Sequence, residues 1–120
     1  MNRVKQLEQF EAWKKAEALS FHAYELSKTF PPEEFFGFTM RIRQAASAIS
    51  SYIAEGFYSP VTDYVHSVEV AVTYVCELKE TVKLSCFAKY VTREEVVLLE
   101  KRCDEMTRLL NRLIFTLKYK

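Results

Sequence analysis

The sequence predicts an all-α protein, an antiparallel up-down-up-down four-helix bundle, and three observations carry that prediction. Only two of the 120 residues are glycine, well below the ~7% of an average chain and too few for a turn-rich β protein. Apolar residues recur at alternating spacings of three and four through four long stretches, the period of one helix face. Short proline-containing or capping segments separate these stretches, and connections of a few residues make neighbouring helices antiparallel. The length fits a single domain spanning 1–120, large enough to bury roughly two-thirds of its unfolded surface.

Residues 1–9 are mostly polar and read as a loosely held arm. From Phe10 the pattern becomes regular: Ala12, Ala16, Leu19, Ala23, Leu26 and Phe30 form one stripe, which predicts a first helix over about 10–30. Pro31 and Pro32 end it, since proline cannot continue the ladder and biases its predecessor away from helical geometry. The second helix is predicted over 33–56. Glu33 and Glu34 place negative charge at its start. Phe38, Ile42, Ala45, Ile49, Tyr52 and Gly56 form its stripe, flanked by Ala46, Ser47, Ala48, Ser50, Ser51 and Ala54, so a neighbour can approach closely. Gly56 reads as the stop.

Ser59 and Pro60 read as a cap followed by proline at the first position of a third helix over 61–88. Its β-branched residues also permit a strand, because Val68, Val70, Val72, Tyr74, Cys76 and Leu78 alternate with their neighbours. The absence of Gly or Pro for over twenty residues, and the helical spacing of Val61, Val65, Val68, Val72, Val75 and Val82, favour a helix. Thr92 to Glu95 reads as a capping box opening a fourth helix over 93–118, with the stripe Val96, Leu99, Cys103, Met106, Leu110, Leu113 and Leu117. Val70, Tyr74, Leu84, Ile114 and Phe115 fall off the main stripes, which predicts self-association.

Seventeen basic residues against sixteen acidic ones give a formal charge of +1, so any attraction for nucleic acid must be local. Residues 91–120 hold seven basic and five acidic side chains, and no acid follows Glu105. Arg108 and Arg112, four apart, share a face, with Lys101, Lys118 and Lys120 continuing along the same helix. Arg41 and Arg43 are two apart and point to different sides. This basic stripe reads either as a solvated helix face or as a phosphate-binding surface, and Tyr58, Tyr64, Tyr90 and Tyr119 are candidates for stacking on bases.

Catalytic chemistry has little support. The chain lacks the glycines for a phosphate-binding loop, and neither His22 nor His66 follows a glutamate by three residues, as a di-iron bundle requires. Three cysteines with no C-x-x-C pair suit buried thiols in a reducing cytoplasm. Glu55, beside Ala54 and Gly56, needs water or a partner group, or else acts as an acid. No cofactor or metal is expected, and neither a secretory leader nor a membrane span is read.

Several segments resemble a known family. Leu7 to Ala16, LEQFEAWKKA, resembles the opening F-x-x-L-x-V-W-x-K-A, and Phe30-Pro31 followed by Glu33, Glu34, Phe36 and Gly37 resembles F-P-x-E-E-x-x-G-L. Met40 to Ala46, MRIRQAA, with Ile49 to Gly56, ISSYIAEG, resembles Q-x-R-R-A-A-x-S-I-P-x-N-I-A-E-G. The family is the four-helix bundles named for proteins encoded in intervening sequences of bacterial 23S ribosomal RNA genes. Arg43, Ala45, Ala46, Ile53, Ala54, Glu55 and Gly56 match its motif; Ser50 and Tyr52 replace its Pro and Asn, and FYSPVTDY follows the glycine where relatives carry basic residues.

The resemblance implies a cytoplasmic bacterial bundle that forms a ring-like homopentamer, in a family with no established enzymatic activity. It also implies similarity to the accessory proteins of diversity-generating retroelements, which associate with a reverse transcriptase and nucleic acid. The expected function is therefore a non-enzymatic accessory or scaffold in a nucleic-acid process, contacting RNA or DNA through Arg41, Arg43, Arg108, Arg112, Lys118 and Lys120. The alternative is a purely structural or protein-binding bundle.

Overall fold

The structure is a computed structural model that describes residues 3–120. Four long helices form: α1 (Arg3–Ser27), α2 (Met40–Ala54), α3 (Val61–Phe87) and α4 (Arg93–Tyr119). No strand occurs among the described residues, and no helix is long and apolar enough to cross a membrane. Each helix packs on two others in the closed order α1, α2, α3, α4, α1.

The helix starts at Arg3, so residues 3–9 do not form the arm that polarity suggested; the first two residues of that segment lie outside the described part. Gln9 is buried, which ties this first stretch to the interior. The predicted stripe of α1 is the buried one, and the regular helix stops at Ser27, a turn before Phe30. Tighter bonds from Lys28 to Glu25 and from Phe30 to Ser27 wind the last turn down before Pro31.

Residues 32–39 are helical but irregular: a 3₁₀ turn at Pro32–Glu34, then a wider turn at Phe35–Thr39 with Gly37 outside helical geometry. Regular α2 therefore begins at Met40 rather than near residue 33. Glu34 explains the break, because its carboxylate turns back to accept from the Phe38 amide at 3.4 Å and from the Tyr90 hydroxyl at 2.9 Å. A side chain on Gly37 would collide with that carboxylate. The Tyr90 ring in turn packs on Phe30 and Phe38, with centroids 5.6 and 5.9 Å away.

Along α2, Ile42, Ala45, Ala46, Ile49 and Ile53 are buried. The helix ends at Ala54 and runs into a 3₁₀ turn at Glu55–Phe57. Gly56 is not the left-handed stop that its position suggested, since no glycine here has a positive φ. Its role is close approach: a Cβ would overlap ring carbons of Tyr64, which is fully buried against it. Burial pushes the Tyr64 phenol well above its usual range, and Gln9 offsets this in part.

α3 is one unbroken helix through the ambiguous segment. Val68, Ala71, Val75, Leu78 and Val82 are buried at helical spacing, whereas Cys76 of the alternating set is exposed. Pro60 occupies the cap itself rather than the first helical position, its carbonyl accepting from the Tyr64 amide at 3.0 Å; Ser59 supplies no side-chain cap. At the other end Lys89 takes a left-handed conformation (φ 67°), the Tyr90 amide reaches the Ser85 carbonyl and the Lys89 amide the Cys86 carbonyl. This pair of bonds is a Schellman closure, usually built on glycine. The Thr92–Glu95 capping box forms as predicted, with bonds of 3.1 and 2.8 Å. Of the five off-stripe apolar residues, Leu84 and Phe115 are exposed, while Val70, Tyr74 and Ile114 are half-buried, Tyr74 stacked on Tyr52.

Two stability changes follow. Lys89→Gly removes the left-handed penalty and raises the unfolding free energy by about 0.5–1 kcal/mol, seen as a higher urea midpoint at unchanged slope. Gly56→Ala lowers it by roughly 2–3 kcal/mol by overpacking. Combined with Tyr64→Leu, the two changes together cost less than their separate costs added, because the clash is relieved.

Candidate nucleic-acid interface

The basic residues of α4 follow from helix geometry. With ~100° of rotation per residue, positions 101, 108 and 112 fall on the outer side, and the same line continues to 115 and 119. Lys118 and Lys120 leave this line. The row past Arg112 is therefore Phe115 and Tyr119, not the lysines that the sequence reading joined to it. Arg108, Arg112, Lys118 and Lys120 are all exposed.

The border between α4 and α1 adds cations that the sequence reading left out. One recess along it is lined by Lys15, Glu105, Arg108, Leu109 and Arg112. Its extension is lined by Phe10, Glu11, Lys14, Lys15, Ala18 and Leu109. Arg102 lines the stretch next to these, beside Lys15 and Met106. Lys14, Lys15, Arg102, Arg108 and Arg112 thus face Glu11 and Glu105, an excess of positive charge on a nearly neutral protein. Arg112 lies 3.7 Å from Glu11, with both side chains more than half exposed, so the pair is too solvated to neutralise the groove or to add much stability. The Lys14 ammonium sits 5.5 Å above the Phe10 ring. The signal for Lys14 and Lys15 was the closed helix order, which sets the flank of α1 carrying Lys15 against α4.

Arg41 and Arg43 do not join this surface, since α2 packs on α1 and α3. Arg41 is exposed. Arg43 is a clamp between α2 and α1 and not a free cation: its Nε donates to the Ser27 hydroxyl at 2.8 Å, and its guanidinium lies 4.1 Å over the Tyr24 ring. Ser27 passes the bond on to the Tyr24 carbonyl. The other motif residues are also structural. Ala45, Ala46 and Ile53 are core, Ala54 is half-buried, and Gly56 admits Tyr64. The Glu55 carboxylate accepts from the Ser67 hydroxyl at 2.8 Å, joining the end of α2 to α3.

No catalytic cluster forms from the remaining candidates. His22 is half-buried on α1, held below the usual imidazole range by burial and then by Arg102, with Glu95 opposing. His66 is exposed on α3. Among the described residues no group of three His, Cys, Asp or Glu side chains is placed to hold a metal ion. Cys103 is buried in the core, and burial pushes its thiol up to about 12, which leaves it protonated and unreactive at neutral pH.

Comparison with known proteins agrees with this architecture. The chain is similar to a crystal structure from Bacteroides thetaiotaomicron, a protein of unknown function from the S23 ribosomal protein family. The two share 19% identity with a TM-score of 0.81, over 89% of this chain and 97% of that one, a likeness of fold. No curated protein matches in sequence. The model of a family described as 23S rRNA-intervening sequence protein matches residues 8–112, from the first turns of α1 to Arg112 on α4. The chain belongs to the 23S rRNA-intervening sequence protein family.

Proposed function

We propose that this protein is a non-enzymatic helical bundle serving as an accessory or scaffold in a cytoplasmic nucleic-acid process, and that it contacts RNA or DNA through the α1/α4 groove. The observation that carries the reading is the concentration of Lys14, Lys15, Arg102, Arg108 and Arg112 along one border against two acids. A molecule with a formal charge of +1 has no general attraction for polyanions, so such a border is the feature that gives it one. Free thiols at positions 76, 86 and 103 suit a reducing compartment.

The same reading includes an up-down-up-down helix order and a ring of copies, five by family resemblance, with a reverse transcriptase as a candidate protein partner. Pairings in which early residues of one helix meet late residues of the next support the helix order. Glu11 in the first half of α1 meets Arg112 near the end of α4, Lys79 in the second half of α3 meets Asp104 in the first half of α4, and Glu55 just past α2 meets Ser67 early in α3. Exposed Phe21, Phe36 and Phe87 supply apolar surface for contact between copies. A ring would repeat the groove in every subunit and multiply weak phosphate contacts.

Neutralising two phosphate contacts with Arg108→Gln and Arg112→Gln flattens the slope of log K against log salt by about 1.4–1.8. Arg43→Gln leaves that slope unchanged and lowers thermal stability instead. Titrations of RNA and DNA at several salt concentrations make the comparison, and a protein with no binding at low salt removes the reading. Light scattering that gives the mass of one chain at high concentration removes the ring.

A further inference from the structure

We propose that the outer face of α4 selects unpaired nucleic-acid strands, with bases stacking on Phe115 and Tyr119 while Arg108, Arg112 and Lys14 hold the phosphates. This rests on the nucleic-acid reading above and narrows it to single strands. Phe115 and Tyr119 are four residues apart on the line that carries Arg108 and Arg112, so rings follow cations along one face at intervals of about one helical turn. The ring centroids are 5.0 Å apart, tilted by 49°. They are 53% and 71% exposed, so packing within the chain leaves much of both rings in water.

Charge selects the occupant. Arg108 forms no ion pair among the described residues, and the neighbouring Lys14 ammonium is held at the rim of the groove by the Phe10 ring rather than by a carboxylate. Arg108 and Lys14 without a carboxylate partner, and Arg112 in only a loose, solvated pair with Glu11, stand beside exposed rings, the pairing that single-strand surfaces use: cations track the backbone, and every base offers a flat face to an aromatic side chain. A duplex hides those faces, so it gains from the cations alone.

The test measures anisotropy of labelled oligothymidylate of about 15 nucleotides, a length suited to a single-strand surface, against a duplex with the same number of phosphates. Phe115→Leu with Tyr119→Leu keeps apolar bulk and removes the aromatic faces; Phe115→Tyr with Tyr119→Phe keeps the rings. The expected result is tighter binding of the single strand by the unaltered protein. The leucine pair weakens it roughly tenfold while duplex binding changes by less than about twofold, and the ring-conserving pair retains it. Arg108→Gln with Arg112→Gln weakens both ligands. Equal binding of the two ligands, or a leucine pair that binds the single strand normally, overturns the inference and leaves the proposed function standing. Absence of binding to either, or equally effective competition by polyglutamate of matched charge, overturns both.

Discussion

Small side chains at the helix contacts are the constraint on which the remaining structure depends. Ala12, Ala16 and Ala23 on α1, Ala45 and Ala46 on α2, and Ala71 on α3 are all fully or almost fully buried. Alanine at a contact allows two helix axes to approach closely, and the larger Ile, Leu and Val residues then fill the centre between them. Gly56 extends the same logic to the end of α2, where even a methyl group would displace Tyr64. The bundle is held at this spacing from several sides, so a change in the volume of one contact is transmitted to its neighbours.

Close packing fixes the distance between helices but not their axial offset, and polar cross-links at the ends supply that. Glu34 joins the α1–α2 connection to the α3–α4 connection through Tyr90. Arg43 fixes α2 against α1 through Ser27 and Tyr24, and Glu55 fixes the opposite end of α2 against α3 through Ser67. The motif segment of the family therefore reads as a packing and registration device. Arg43 and Glu55, the two charged residues of the motif, have structural partners.

The core was legible in the sequence because the three-and-four spacing is a direct image of burial. The stripes of α1 and α4 are the buried residues, and the valines of α3 behaved as a helix despite their β preference, since length and the lack of breakers outweigh local propensity. What failed was local. Gly37 and Glu34 set the true start of α2 through a contact with Tyr90, more than fifty residues away, which no local pattern encodes. Lys89 adopts a conformation normally given to glycine, and Pro60 caps α3 where Ser59 was the obvious candidate. The candidate interface was half legible: Arg108 and Arg112 declare a shared face by their spacing, whereas Lys14 and Lys15 join them only when α1 is set beside α4.

The same geometry lets a nearly neutral protein present a local field of one sign. Fields from well-separated surface charges fade over about 10 Å at moderate salt, so a distant acid does little to cancel a cation that touches a phosphate. Glu69, Glu77 and Glu80 are exposed on α3, and α3 packs on α2 and α4 but lies across the bundle from α1. The balance of seventeen against sixteen is thus a sum over opposed faces, and the face at α1 and α4 presents its own sign to whatever approaches it.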